Sequence, residues 1–358
     1  MTLTSLGLPA VGGPGRPPLG PAPSSGPLVD TYGRVATDLR VSLTDKCNLR
    51  CTYCMPAEGL DWLPGEALLS PSELGRLLRI AVTRLGITSV RFTGGEPLVT
   101  RHLEDVVAAA AALRPRPEIT LTTNGIGLDR RAAALRQAGL DRINVSLDSI
   151  DAAHFARITR RDRLGDVLDG LAAAKAAGLS PVKVNAVLDP ASGLEDAVNL
   201  LGYCLDHGYQ LRIIEQMPLD AGHTWQRGKV IDADTILATL RQHFDLRSDP
   251  QPRGSAPAEL WQVSESAEHP AGTVGVIASV THAFCSACDR TRLTADGQIR
   301  SCLFSTEESD LRALLRGDAD DADIEAAWRT AMWGKPAGHG INNPDFVQPA
   351  RPMSAIGG

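Results

Sequence analysis

The chain has 358 residues, 43% hydrophobic and 22% charged, with a formal net charge of −6. That composition supports a sizeable core, and the length suits two or three domains or one long barrel. The acidic balance provides no global field for a polyanion, which argues against nucleic acid, so any anionic ligand must be held by local basic groups. No apolar run approaches the about 18 residues of a membrane span. Between positions 7 and 27, 13 of 21 residues are Gly or Pro, with no apolar stretch of the signal-peptide kind. Residues 1–31 therefore read as a disordered leader. The expected compartment is the cytoplasm, where clustered cysteines signal metal or catalysis rather than disulfides.

The first β-like run covers residues 39–44. A helix follows with Ser70 as N-cap, Pro71 at N1 and Glu73 at N3, a capping-box pattern, and it ends near Gly86. Next come a strand over 89–93, an alanine-rich helix over 103–113, a strand over 119–122 and a helix over 130–138 stopped by Gly139. A strand over 142–147, a helix ending before Gly178, a strand over 182–188, a helix over 194–207 and a strand over 211–215 complete the series. Strands alternating with helices in this way predict an α/β fold with a parallel sheet and right-handed crossovers. Periodicity leaves open a doubly wound sheet or a partial barrel, and both gather their chemistry at the C-terminal strand ends. Beyond residue 220 the pattern changes: 250–268 is loop-like, 273–281 β-like, 310–316 and 323–333 helical, and 338–358 aperiodic. The expected units are thus 1–31, 32–219, 220–337 and a tail of 338–358.

Six of the seven cysteines fall in two sets, while Cys204 reads as a buried apolar residue of a helix. Cys47-x-x-x-Cys51-x-x-Cys54 lies just after the first strand. Three thiolates suit a [4Fe–4S] cube with one iron left open, and a zinc ion with a distant fourth ligand is the alternative. Arg91-Phe-Thr-Gly94-Gly95-Glu96-Pro97 follows the second strand, where glycines let a backbone approach a ligand. Polar groups recur where later strands end: Thr122 to Asn124, Asn144 to Asp148 with Ser146 between, Lys183 with Asn185, and Arg212 to Met217. The second set, Cys285-x-x-Cys288-x13-Cys302, fits a zinc knuckle short of one ligand or another cluster. Arg290 and Arg292, at i and i+2 of an extended segment, point the same way and suit a polyphosphate. No phosphate-cradling GxxxxGK[ST] loop and no histidine ligand spacing occurs.

The first cysteine set, with Tyr53 before its last member, resembles the signature of the radical S-adenosylmethionine (SAM) superfamily, and residues 94–97 resemble its GGEP motif. The second set with its Asp-Arg-x-Arg-Leu-Thr-x-Asp-Gly run (289–297) and the terminal Gly357-Gly358 resemble the GTP 3′,8-cyclase family of molybdenum cofactor biosynthesis. The likeness spans residues 32–358, with Asp289 where Asn is commoner. It implies a partial (β/α)6 barrel with a C-terminal extension carrying a second iron–sulfur cluster. It further implies two [4Fe–4S] clusters, on Cys47, Cys51 and Cys54 and on Cys285, Cys288 and Cys302. SAM is expected against Tyr53, Gly95, Ser146 and Met217. GTP is expected against Arg40, Arg91, Thr122, Lys183, Arg290, Thr291 and Arg292, and the double-glycine tail is expected in the active site. A reductant and product hand-over to cyclic pyranopterin monophosphate synthase follow from the same resemblance, with a homodimer left open. The rival readings are another two-cluster radical SAM enzyme, such as a peptide-modifying one, and a zinc-binding interaction module.

Overall fold

The computed structural model describes residues 20–191 and 193–357. Six strands, β1 (Asp38–Ser42), β2 (Ser89–Thr93), β3 (Glu118–Thr123), β4 (Arg142–Ser146), β5 (Val182–Val187) and β6 (Gln210–Ile214), pair in parallel and in chain order. A doubly wound sheet reverses its strand order at a switch point. This one never does, so the crossovers all wind one way and the strands form a barrel-like arc. The period-two alternation then has a plain meaning. Leu39, Val41, Val90, Phe92, Ile119, Leu121, Ile143, Val145, Val184, Leu211 and Ile213 form the buried apolar set. Between them Arg40, Arg91, Thr122, Asn144, Asn185 and Arg212 take the other face.

Helices cover the apolar side: α1 (Pro71–Thr83), α2 (Leu103–Ala111), α3 (Ala132–Ala138), α4 (Ala152–Thr159), α5 (Leu164–Ala176) and α6 (Gly193–His207). The capping box of α1 is present, Ser70 Oγ accepting from Glu73 N at 3.2 Å and Glu73 accepting from Ser70 N at 2.7 Å. The single helix expected before Gly178 is two, because Arg160 adopts a left-handed φ of 55° between them. Its guanidinium donates to Arg50 O and Met55 O, each at 2.9 Å, so the break holds the segment around the first cysteine set.

The C-terminal half adds α7 (Ala233–Leu240), then β7 (Leu246–Ser248), β8 (Glu259–Val263) and β9 (Gly272–Ile277), followed by β10 (Arg290–Leu293), β11 (Gln298–Arg300) and β12 (Ser309–Asp310). It ends in α8 (Leu311–Arg316), α9 (Asp321–Trp333) and α10 (Met353–Ile356). β9 extends the arc in parallel beside β6 and β10 in parallel beside β1, with antiparallel strands outside each, giving the order β12-β11-β10-β1-β2-β3-β4-β5-β6-β9-β8-β7. Strands 9 and 10 thus lie at opposite edges yet point the same way. Residues 278–289 must therefore cross the open side of the arc from the C-terminal rim to the N-terminal rim.

Two further expectations change. The stretch 250–268, read as a loop, contains β8, whose buried Trp261 and Val263 flank the exposed Gln262. The boundary at residue 31 also falls too late. Leu28 is buried, Asp30 pairs with Arg34, and Arg329 donates to Gly26 O and Pro27 O. Residues 1–19 of the expected leader lie outside the described residues. The tail packs Ile341 and Ile356 against Leu219, Val280 and Phe304. No helix among the described residues is long and apolar enough to cross a membrane.

Candidate active site

A cavity of about 310 Å³ lies within the arc, and all six clustered cysteines line it. Cys47, Cys51 and Cys54 leave β1 at the C-terminal rim. Cys285 and Cys288 arrive on the crossing segment, which is tied to the foot of β1 where Thr37 N and Asp38 N donate to Asp289 O. Cys302 follows β11 at the same rim. The two sets therefore meet one space from opposite ends. Glu215 fixes the start of the crossing by accepting from Val280 N (2.7 Å), Thr281 N (2.9 Å) and Ala233 N (2.9 Å). All six thiols are free. Among the described residues no three His, Cys, Asp or Glu side chains converge as a single-ion site requires.

The first cysteine loop is held by backbone contact. Gly95 N donates to Thr44 O (2.6 Å) and Glu96 N to Lys46 O (2.7 Å). A Cβ on Gly95 would overlap the carbonyl oxygens of Asp45 and Lys46. The glycine pair is thus required first by the cysteine loop, although Gly95 also lines the cavity. Glu96 is buried and accepts from Leu98 N (2.8 Å), Thr123 Oγ1 (2.6 Å) and Asn124 N (2.6 Å); burial outweighs these donors and pushes its carboxyl up to about 7. Tyr53 OH donates to Asp148 Oδ2 (2.8 Å), whose other oxygen accepts from Val187 N. Burial lifts the thiols, Cys47 to about 11 and Cys54 to about 12, and it raises Cys51 well above its usual range with help from Asp148. Arg50 is the cation that favours the ionised form of Cys47, but burial prevails at all three thiols, which suits a group that brings positive iron.

The other end is cationic. Arg91 and Arg292 flank Arg40 in register on β2 and β10, and Arg212 and Arg290 line the same wall. Asp38 lies 3.8 Å from Arg40 and Asp289 3.8 Å from Arg290. The Nε atoms of Arg40, Arg91 and Arg290 are buried without a hydrogen-bond partner. Burial and mutual repulsion depress Arg212 and Arg292 to about 9 and Lys183 to about 8. Since guanidinium stays protonated in proteins, such values mark excess positive potential awaiting an anion. Lys183 shares the face of Asn185 one pleat nearer the strand foot, outside the cavity wall proper.

Tyr53, Gly95, Ser146 and Met217 line the cavity together, as do Arg40, Arg91, Thr122, Arg290 and Arg292. Thr291 does not. It points to the opposite face of β10, where its Oγ1 accepts from buried Trp328 Nε1 at 3.1 Å. Its expected grouping with Arg290 and Arg292 is therefore corrected for the side chain, which strand alternation turns away from the cavity those arginines line. Gly357 O accepts from Arg292 at 2.6 Å, which brings the tail to the site, and Gly358 lies outside the described residues. Sequence reasoning marked Arg212 and Asn185 only as strand-end polar groups and passed over Phe304 and His339; register and tail packing bring all four to the cavity wall.

A one-way parallel arc with a three-cysteine loop at its C-terminal rim defines a radical SAM enzyme. Residues 41–204 match the Radical SAM superfamily, and 209–341 match Molybdenum Cofactor Synthesis C. The fold resembles Streptococcus suis SuiB bound to S-adenosylmethionine, with a TM-score of 0.55 and 14% identity over 84% of this chain and 67% of that one. The GTP 3′,8-cyclases of Mycolicibacterium smegmatis and Mycobacterium marinum are 81% and 74% identical, covering 100% of each chain. The GTP 3′,8-cyclase 2 of Mycobacterium tuberculosis is 73% identical over the same extent. This chain belongs to the GTP 3′,8-cyclase family of radical SAM enzymes, and with that superfamily it shares use of SAM and an iron–sulfur cluster.

Proposed function

We propose that the enzyme converts GTP to (8S)-3′,8-cyclo-7,8-dihydroguanosine 5′-triphosphate, the first step of molybdenum cofactor biosynthesis. The observation that carries this reading is a single cavity with a cysteine trio at each end and, between them, buried arginines of which Arg40, Arg91 and Arg290 leave an Nε without a hydrogen-bond partner. Cys47, Cys51 and Cys54 would hold one cluster, and Cys285, Cys288 and Cys302 a second. When bound, the first cluster supplies the electron that cleaves SAM into a radical able to abstract the 3′ hydrogen of GTP.

The chain's own groups do the rest. Tyr53, Gly95, Ser146 and Met217 shape the SAM end. Arg40, Arg91, Arg212, Arg290 and Arg292 take the triphosphate, Lys183 adds charge beneath them, and Thr122 offers a hydroxyl. The crossing segment and the tail cover the open side and exclude water, which strengthens each charge–phosphate contact and protects a reactive intermediate. A low-potential reductant, a cytoplasmic setting and hand-over to cyclic pyranopterin monophosphate synthase accompany this reading.

Anaerobic incubation with GTP, SAM and reductant is expected to yield 5′-deoxyadenosine and a cyclised nucleotide. Removing two charge-assisted contacts in an Arg290→Ala, Arg292→Ala double variant should weaken GTP binding about 100-fold. No deoxyadenosine from iron-loaded protein would contradict the reaction, and unchanged GTP affinity in the double variant would contradict the phosphate assignment.

A further inference from the structure

Lys335 is 2% exposed, a rare state for a lysine. It stands just past the end of α9, a helix fixed to the fold through Trp328 and Arg329. Its Nζ donates to Arg290 O at 2.8 Å and to Cys288 O at 3.1 Å, and it lies 3.4 Å from Cys288 Sγ. None of these partners is a carboxylate. A buried ammonium calls for a counter-charge, and the side-chain atom its Nζ reaches is Cys288 Sγ, a sulfur of the second cysteine set. Arg34 braces the same segment from outside, donating to Cys285 O at 2.7 Å and to Pro336 O at 2.6 Å. The first cysteine set has different surroundings: the buried carboxylates Glu96, Asp148 and Asp220 lie near its loop, and Arg50 donates to the carbonyl of Cys47 at 2.6 Å rather than to a sulfur.

We propose that Lys335 is the built-in counter-charge of the second cysteine set and raises the reduction potential of the cluster held there. This rests on the reading that Cys285, Cys288 and Cys302 hold an iron–sulfur cluster. A positive charge donating N–H to a ligand sulfur stabilises the more negative, reduced state, and hydrogen bonds to sulfur and net charge are recognised determinants of cluster potential. The carboxylates beside the first trio, set against the ammonium on a sulfur of the second, make the first the stronger reductant.

The test uses the full chain with Cys47, Cys51 and Cys54 all changed to Ser, so that any cluster signal belongs to the second set. After anaerobic reconstitution, iron is counted and the midpoint is read by redox titration with electron paramagnetic resonance, for Lys335 and for Lys335→Arg, Lys335→Gln and Lys335→Met. At a fixed potential, K335Q and K335M should lower the reduced-to-oxidised ratio about tenfold, equivalent to about 59 mV for one electron. K335R should stay near the parent. In the mirror background, lacking the second cysteine set, K335M should leave the first cluster's midpoint in place. An unmoved midpoint in iron-loaded K335M and K335Q, or a shift in K335R as large as theirs, overturns the proposal. Loss of iron in K335Q and K335M with retention in K335R supports a charge role, and loss in all three overturns it. No iron in the parent would instead overturn the cluster reading beneath it.

Discussion

On β10, Arg290 and Arg292 face the cavity while Thr291 between them accepts from Trp328. Thr291→Val should therefore leave GTP affinity unchanged. It should cost about 1–3 kcal/mol of stability by stranding a buried indole N–H, seen as a lower thermal midpoint. Lys183 makes a pH prediction. Burial, with Arg212, Arg142 and Arg91 nearby, holds its amine at about 8. Below that pH it is charged before an anion arrives. Above it, the anion must draw a proton onto the amine, because a bound polyphosphate raises the pKa again. GTP affinity should thus fall as pH rises above about 8, by up to about tenfold per unit. In Lys183→Met that slope should vanish and affinity at neutral pH should be lower; equilibrium dialysis across the range reads both. A slope preserved in the variant would remove Lys183 from the ligand's surroundings.

At the scale of elements, what the sequence made legible were features written in neighbouring residues. The capping box at Ser70 and Glu73 is local chemistry, and Ser70→Ala should cost about 1 kcal/mol without altering iron content. Gly94-Gly95 was equally visible, but its reason was not, because the atoms it accommodates belong to a loop some fifty residues earlier. Gly95→Ala should displace residues 45–46 and empty the first cysteine set while the second keeps about four irons, read by iron analysis. Retention of about eight irons in that variant would contradict the tight packing of the two loops. The missed features were those with a weak local signature. β8 depends on β9 for its hydrogen bonds, and the break between α4 and α5 falls at Arg160, a residue type that carries no turn signal.

At the scale of the whole molecule, nothing in the spacing between Cys54 and Cys285 says that they share a cavity. That follows from β9 and β10 extending opposite edges of one parallel arc, so that the segment between them must cross its open side. The alternation of the strands showed which residues pair on a face, and register then gathered Arg40, Arg91, Arg212 and Arg292 into one buried cationic wall. Diffraction from anaerobically grown crystals of the full chain, recorded at the iron absorption edge, tests this most directly. The account predicts about eight irons in two cubes, one at each end of the same cavity with the arginine wall between them. Iron at one cysteine set alone, or two iron sites on separate surfaces of the molecule, would contradict it.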